Sequence, residues 1–285
     1  ASRFGYDWER GRLDLAPHPF TTSFGHGDVR ITTRFLDMDG MSALFSTMHE
    51  TGHALYDQGY SPRYRETSLD GAASLAMHES QSRLWENLVG RSQEFCRFVF
   101  PVMQMLFPQH LGNVSLEQFY RGINRVEPSL IRVEADEATY NMHIMLRFEI
   151  ETGLLEGSLR ARDLPEIWNT RMQEYLGITP ADDTTGVLQD VHWSSGLVGY
   201  FPTYALGNLI SAQLWEKMVA ANPEIPGAMS AGDFSQILAW LRENVHQHAS
   251  RYDPQDLVRK ITGGPIDPEP YLRYLNAKYS RIYRF

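Results

Sequence analysis

MHETGHALYDQ, residues 48–58, sets two histidines and a glutamate inside a short apolar stretch. Upstream and within it, Leu44, Phe45, Met48, Leu55 and Tyr56 keep the three- and four-residue steps of one buried helix face, and Gly59 then Pro62 mark a stop. A helix is expected over about 41–58. On it His49 and His53 stand one turn apart and project from the same face, so their imidazoles can converge on one ion. Glu50 lies to the side, where an H-E-x-x-H arrangement uses the carboxylate to take a proton from metal-bound water rather than to bind the metal. The competing reading is an amphipathic core helix that carries these residues by chance. With ten His in 285 residues, such a match is on the order of a few per cent, so a third ligand decides.

MHESQSRLWEN, residues 77–87, offers His78 and Glu79 on the next helical pattern. Glu79 is the better third ligand, because a carboxylate balances a two-histidine site electrically and leaves the ion acidic enough to bring its water to a pKa of ~7.

Outward from this centre the chain reads as mainly helical. Further helical patterns are expected at roughly 72–107, 116–124, 129–156, 163–175, 196–221, 233–247, 254–262 and 268–281. They are separated at Pro108, Pro128, Pro165, Pro180, Asn222 to Gly227 and Gly263 to Pro265. Residues 20–35 read as a β-hairpin around a Gly-His-Gly-Asp turn. No repeat or linker-length break stands out, and the expectation is a single domain over 1–285, with a small β element near the candidate site.

Hydrophobic residues make up 42% and charged residues 21% of the chain, a mix typical of a globular protein. The formal charge of −9 with scattered Lys and Arg argues against a nucleic-acid or anionic-membrane surface and for small molecules, peptides or proteins as partners. Cys96 stands alone, which excludes a disulfide framework and a cysteine zinc site and suits the cytoplasm. The longest apolar run, residues 98–107, is broken by Pro101 and falls short of the ~20 residues of a spanning helix. The first residues carry no secretory signal pattern, and the lack of a starting Met is consistent with a chain trimmed or cut from a longer one.

HPF at 18–20, DVRIT at 28–32, HETGH at 49–53, HESQ at 78–81, IRVEAD at 131–136 and GVLQDVHW at 186–193 together resemble the successive signatures of the carboxypeptidase Taq family of metallocarboxypeptidases. GYFPTYALGN at 199–208 also looks like the family. The resemblance implies a zincin-like helical fold, zinc or sometimes cobalt as the metal, a homodimer, and release of single amino acids from peptides with a free C-terminus. It also implies that a helical region preceding the HPF motif in the family is absent from this chain.

Carried over residue by residue, the resemblance makes His49, His53 and Glu79 the metal ligands and Glu50 the general base and later proton donor. Arg132 becomes the candidate for the substrate's terminal carboxylate, since a guanidinium fork matches two oxygens. Its bland alternative is a helix-surface pair with Asp136. Arg30 is a second substrate-binding candidate that could instead pair with Asp28. His192, Tyr204 and Tyr200 are candidates for steadying an oxyanion, with Tyr204 preferred to Tyr200 by likeness to related zinc peptidases. Asp190, Gln189 and His78 are expected to orient neighbouring groups. His110, His143 and His248 have no ligand-spaced partner and read as structural.

Two other classes compete. ETGH at 50–53 and ENVH at 243–246 are both Glu-x-x-His pairs, the raw material of a di-iron carboxylate bundle acting as an oxidase. That reading leaves His49 and the HESQ segment unused and Gly52 within a helix unexplained. A non-catalytic scaffold with a peptidase fold is the other, and the intact Glu50 argues against it.

Overall fold

The structure, a computed structural model, describes residues 1–36 and 39–285. Its residues form two compact groupings, a first unit of Ala1–Ile123 with Leu206–Phe285 and a second of Asn124–Ala205.

The first unit opens with a three-stranded sheet made of β1 (Leu13–Leu15), β2 (Thr21–Ser23) and β3 (Val29–Thr33). The order is β1-β3-β2, with β1 parallel and β2 antiparallel to the central strand. The expected hairpin is the β2–β3 pair. Its turn closes through the Asp28 amide, which donates to Gly25 O, and the Phe24 amide, which donates to Asp28 O. Gly25 has φ +117°, a backbone region open to glycine, which lets the turn form in so few residues. Strand β1 escaped the sequence reading, because three residues carry too little alternation to register.

Helix α1 (Gly40–Asp57) follows, capped by the Asp39 carboxylate, which accepts from the Met41 and Ser42 amides. It buries Phe45, Met48, Leu55 and Tyr56, the face read from the sequence. The single helix expected over 72–107 is divided into α2 (Leu75–Arg83), a wider π-helical turn over Leu84–Val89, and α3 (Gln93–Leu106). Ser92 causes the break: its backbone is extended and its hydroxyl accepts from the Phe95 amide, which starts a new helix. Further helices of this unit include Ser235–Asn244, Pro254–Thr262 and Glu269–Tyr283. They close a core around Phe4, Trp85, Leu214, Met218, Phe234, Leu241 and Leu257.

The second unit packs helices Tyr140–Leu155 and Leu164–Leu176 through Leu146, Ile150, Trp168 and Met172. The helix expected from residue 129 begins only at Tyr140. Asp136 intervenes, its carboxylate accepting from the Ala138 and Thr139 amides, while Arg132–Glu134 forms an isolated 3-10 turn. The helix expected over 196–221 likewise starts at Pro202, whose fixed φ suits a first turn and whose missing N–H is no loss there. Residues 202–205 of that helix belong to the second unit and its remainder to the first. Among the described residues no helix is long and apolar enough to cross a membrane.

Candidate metal centre

Helices α1 and α2 lie against each other with bare backbone at the contact. A Cβ at Gly52 would fall 2.6 Å from the Gln81 carbonyl oxygen and 2.7 Å from Ser82 Cα, so only glycine fits. This closeness is the reason for a glycine in the middle of α1, and it carries His49 and His53 to Glu79. His49 Nε2 is 3.9 Å and His53 Nε2 3.5 Å from Glu79 Oε2, and one donor atom from each of the three lies within 4.8 Å of the others. Donors around a tetrahedral zinc with bonds near 2.0–2.1 Å stand about 3.3 Å apart, so small side-chain rotations close the set. Two neutral-capable imidazoles and one carboxylate are the ligand chemistry of catalytic zinc, and the residues fit the ion. A second glycine guards the site, since a Cβ at Gly207 would sit 2.5 Å from Glu79 Cγ.

Each candidate ligand is held from behind. His49 Nδ1 lies 2.8 Å from Glu86 Oε2. Arg83 Nε donates to Glu79 Oε1 at 2.8 Å, which turns Oε2 toward the histidines, and its Nη1 donates to Glu86 at 3.3 Å. His53 Nδ1 faces His78 Nδ1 at 2.7 Å, and His78 Nε2 reaches Asp57 Oδ1 at 3.1 Å. Glu86, Arg83 and Asp57 were missed in the sequence reading. Their spacing offered a signal: Arg83 and Glu86 follow Glu79 by four and seven residues, and Asp57 follows His53 by four, all on the same helix faces.

The electrostatics favour a cation. Burial pushes the Glu79 carboxyl up, but His49 and Arg83 outweigh it and hold the group well below the usual carboxylate range. Burial likewise opposes ionisation of Glu86, which Arg83 and His49 pull down to about 2. Burial alone would lower His49, yet Glu79 and Glu86 raise it. One buried and one partly buried carboxylate, Glu79 and Glu86, thus face the imidazoles in ionised form.

Glu50 is 6% exposed and does not join the ligand set. The Thr21 hydroxyl of β2 lies 2.6 Å from Glu50 Oε2 and 2.9 Å from the Glu50 carbonyl oxygen, which fixes the carboxylate's direction. Thr21 follows directly on the HPF motif, a proximity that no spacing rule reveals. Arg30 takes the alternative foreseen for it, a two-pronged pair with Asp28 at 2.8 and 2.6 Å.

The second unit holds its own buried polar cluster. Arg132, 4% exposed, does not pair with Asp136. Its Nε and Nη2 donate to Asp190 Oδ1 at 3.1 and 2.6 Å, and its Nη1 donates to the Tyr140 hydroxyl at 2.8 Å. Arg147 donates to the other Asp190 oxygen at 2.7 Å and to Gln189 Oε1 at 2.9 Å. Burial drives the Arg147 guanidinium down to about 10, still charged at neutral pH. Burial opposes the Asp190 charge as well, but Arg147 and Arg132 hold its carboxyl below the usual range. His192 Nε2 and the Tyr204 hydroxyl are 2.9 Å apart, the His192 ring lies against Phe201, and Tyr200 packs edge-on to Tyr204. Sequence reading therefore named five residues that this unit brings together: Arg132, Asp190, Gln189, His192 and Tyr204.

The di-iron alternative fails on geometry. Glu243 is exposed, while His246 is fully buried in a 3-10 turn beyond the helix end and bonds Gln81 Oε1 at 2.9 Å. Among the described residues the ligand grouping is His49, His53 and Glu79.

Comparison with known proteins agrees with this geometry. The sequence profile of the family described as Carboxypeptidase Taq (M32) metallopeptidase matches residues 1–279. The chain is 49% identical over 282 residues to thermostable carboxypeptidase 1 of Thermus thermophilus, a match covering 99% of this chain and 55% of that protein. It is 44% identical over 279 residues to carboxypeptidase 1 of Bacillus subtilis, covering 98% of this chain and 56% of the relative. Its fold matches the crystal structure of the M32 carboxypeptidase from Deinococcus radiodurans R1 with a TM-score of 0.97 at 46% identity, over 100% of this chain and 57% of that one. The chain spans little more than half the length of these relatives.

Proposed function

The chain belongs to the carboxypeptidase Taq (M32) family of metallopeptidases, and from that premise we propose that it performs metal-dependent carboxypeptidase chemistry, releasing single amino acids from peptides with a free C-terminus. The observation that carries the reading is the convergence of His49 Nε2, His53 Nε2 and Glu79 Oε2, with Glu50 one residue along α1 from the first ligand. Zinc is the metal proposed, with cobalt as the substitute the same donors accept. When bound, the ion supplies Lewis acidity and lowers the pKa of a water to ~7.

The protein's own groups do the rest. Glu50, aimed by Thr21, takes the proton from the attacking water and returns it to the departing amine. Tyr204, its hydroxyl oriented by His192, is the candidate donor to the developing oxyanion, with Tyr200 in a lesser role. Arg132 is the candidate for the terminal carboxylate. Asp190 takes two of its N–H groups and the Tyr140 hydroxyl a third, so the substrate is offered the remaining ones or must compete. Arg30, committed to Asp28, is the weaker candidate.

The test uses two peptides that differ only in a free or amidated C-terminus. Metal-loaded protein should digest the first and spare the second. Glu50→Gln should keep the metal and lose about 10²–10⁴-fold in turnover; metal loss or retained turnover in that variant overturns the assignment. The family resemblance also supports a homodimer, which sedimentation checks directly. The lone buried Cys96 supports residence in the reducing cytoplasm, and a relative insensitivity to reductant is expected.

A further inference from the structure

We propose that Asp57 and His78 are positioning residues for the metal centre: together they fix the tautomer and ring direction of His53. The inference rests on the reading of His49, His53 and Glu79 as metal ligands. A histidine that binds an ion through Nε2 needs its lone pair there, which leaves its proton on Nδ1. His53 Nδ1 therefore donates across the 2.7 Å gap, and His78 Nδ1 accepts. A neutral His78 that accepts at Nδ1 carries its own proton at Nε2, and that N–H donates to Asp57 Oδ1 at 3.1 Å. Each bond dictates the direction of the next. One carboxylate at the end of the chain thus selects the tautomers of both rings and opens Nε2 of His53 to an ion. In the reverse order the His53 proton would sit on Nε2, pointed at Glu79 Oε2 3.5 Å away, and the ligand atom would be blocked.

The end of the relay is itself anchored. The Tyr60 hydroxyl donates to Asp57 Oδ1 at 2.6 Å, so Asp57 is held as an acceptor with its oxygen facing His78. The His78 ring is wedged between the rings of His53 and Tyr56, with centroids 4.7 and 5.3 Å away, and cannot swing without displacing one of them. His49 is treated differently, meeting the Glu86 carboxylate directly at 2.8 Å. The two imidazole ligands therefore have orienting partners of unlike kind, one a carboxylate in direct contact and the other a carboxylate acting through a second ring. The seam of α1 against α2 that brings ligands together also closes the relay, because Asp57 lies one turn beyond His53 and His78 immediately precedes Glu79.

The experiment titrates the metal-free full chain with zinc against a competing chelator, and records the visible spectrum of the cobalt-loaded protein. His78→Leu and Asp57→Ala, which removes the acceptor, should each weaken zinc binding by about 10–100-fold and shift the cobalt bands. His78→Asn, whose side-chain oxygen can accept from His53 Nδ1–H, should recover most of the affinity. Melting of the metal-free variants should match that of the metal-free parent. Unchanged affinity and spectrum in folded His78→Leu and Asp57→Ala overturn the relay while the metal centre stands. A weakening that merely tracks lost metal-free stability, without recovery in His78→Asn, also overturns it. Failure of the parent chain to bind zinc overturns the metal-centre reading instead.

Discussion

Tyr204 and Tyr200 are two phenols four residues apart, and their surroundings separate them. Tyr204 meets the His192 imidazole at 2.9 Å and lies under the Arg132 guanidinium, 4.8 Å from ring centroid to Cζ. Tyr200 meets the same histidine ring to ring, with centroids 5.4 Å apart. A hydroxyl aimed by an imidazole and polarised by a cation suits oxyanion stabilisation, and loss of one such donor costs about 10²–10³-fold in kcat. Tyr204→Phe should show that loss with KM nearly kept, and Tyr200→Phe a much smaller one; steady-state kinetics on one peptide check both, and equal effects would remove the distinction. At this scale the candidate ligands His49 and His53 were legible because a helix brings residues four apart to one face. The partners behind them were less so. Thr21 sits on another element altogether, and what brings it to Glu50 is tertiary packing that no local pattern encodes.

Gly52 belongs to the scale of elements, where its lack of a side chain sets how near α1 and α2 approach. Gly52→Ala would press a methyl against the Gln81 and Ser82 backbone at 2.6–2.7 Å, which cannot yield as a flexible side chain would. Overpacking of this kind costs about 1–3 kcal/mol, and the separation it forces would also spread His49 and His53 from Glu79. The variant should melt earlier and hold zinc more weakly, by thermal denaturation and chelator competition; an unaltered affinity would show that the ligands adjust independently of the helices. Helix α1 was readable almost to its ends, since the apolar periodicity from Met41 and the stop at Gly59 and Pro62 agree with its bounds. Helix starts at Ser92, Tyr140 and Pro202 were not, because a single cap or proline interrupts an apolar rhythm that continues through it. Strand β1 pairs in parallel with β3, a partner far along the chain, and left no trace in its own three residues.

Across the whole molecule the histidines outside the metal centre set its response to acid. His143 and His246 are each fully buried. Burial first, and then neighbouring Arg147 and Arg132 for His143 and Arg242 for His246, drive both down to about 3. The sign follows from which state binds protons. An unfolded histidine titrates at about 6.5, so between about 6.5 and 3 the unfolded chain takes up protons that the folded chain refuses, and stability falls as pH drops. Each group contributes about 1.4 kcal/mol of lost stability per pH unit within that window. Urea midpoints of metal-free protein should therefore decline from pH 7.5 to 5.5, with a shallower decline in His143→Gln; a flat profile would contradict the assignment. The mainly helical class was accessible from sequence, and so was the candidate grouping of His49, His53 and Glu79, because periodicity and ligand spacing are local. The division into two groupings was not, since no linker-like composition marks residues 124 or 205. At Gly52 no side chain separates α1 from the α2 backbone. Two rods touching backbone to backbone have no soft layer in which to slide, so the cradle for the ion is cut before the ion arrives, and uptake should proceed with little reshaping. Amide hydrogens of residues 49–53 and 79–82 should accordingly exchange almost as slowly in chelator-stripped protein as in the loaded form.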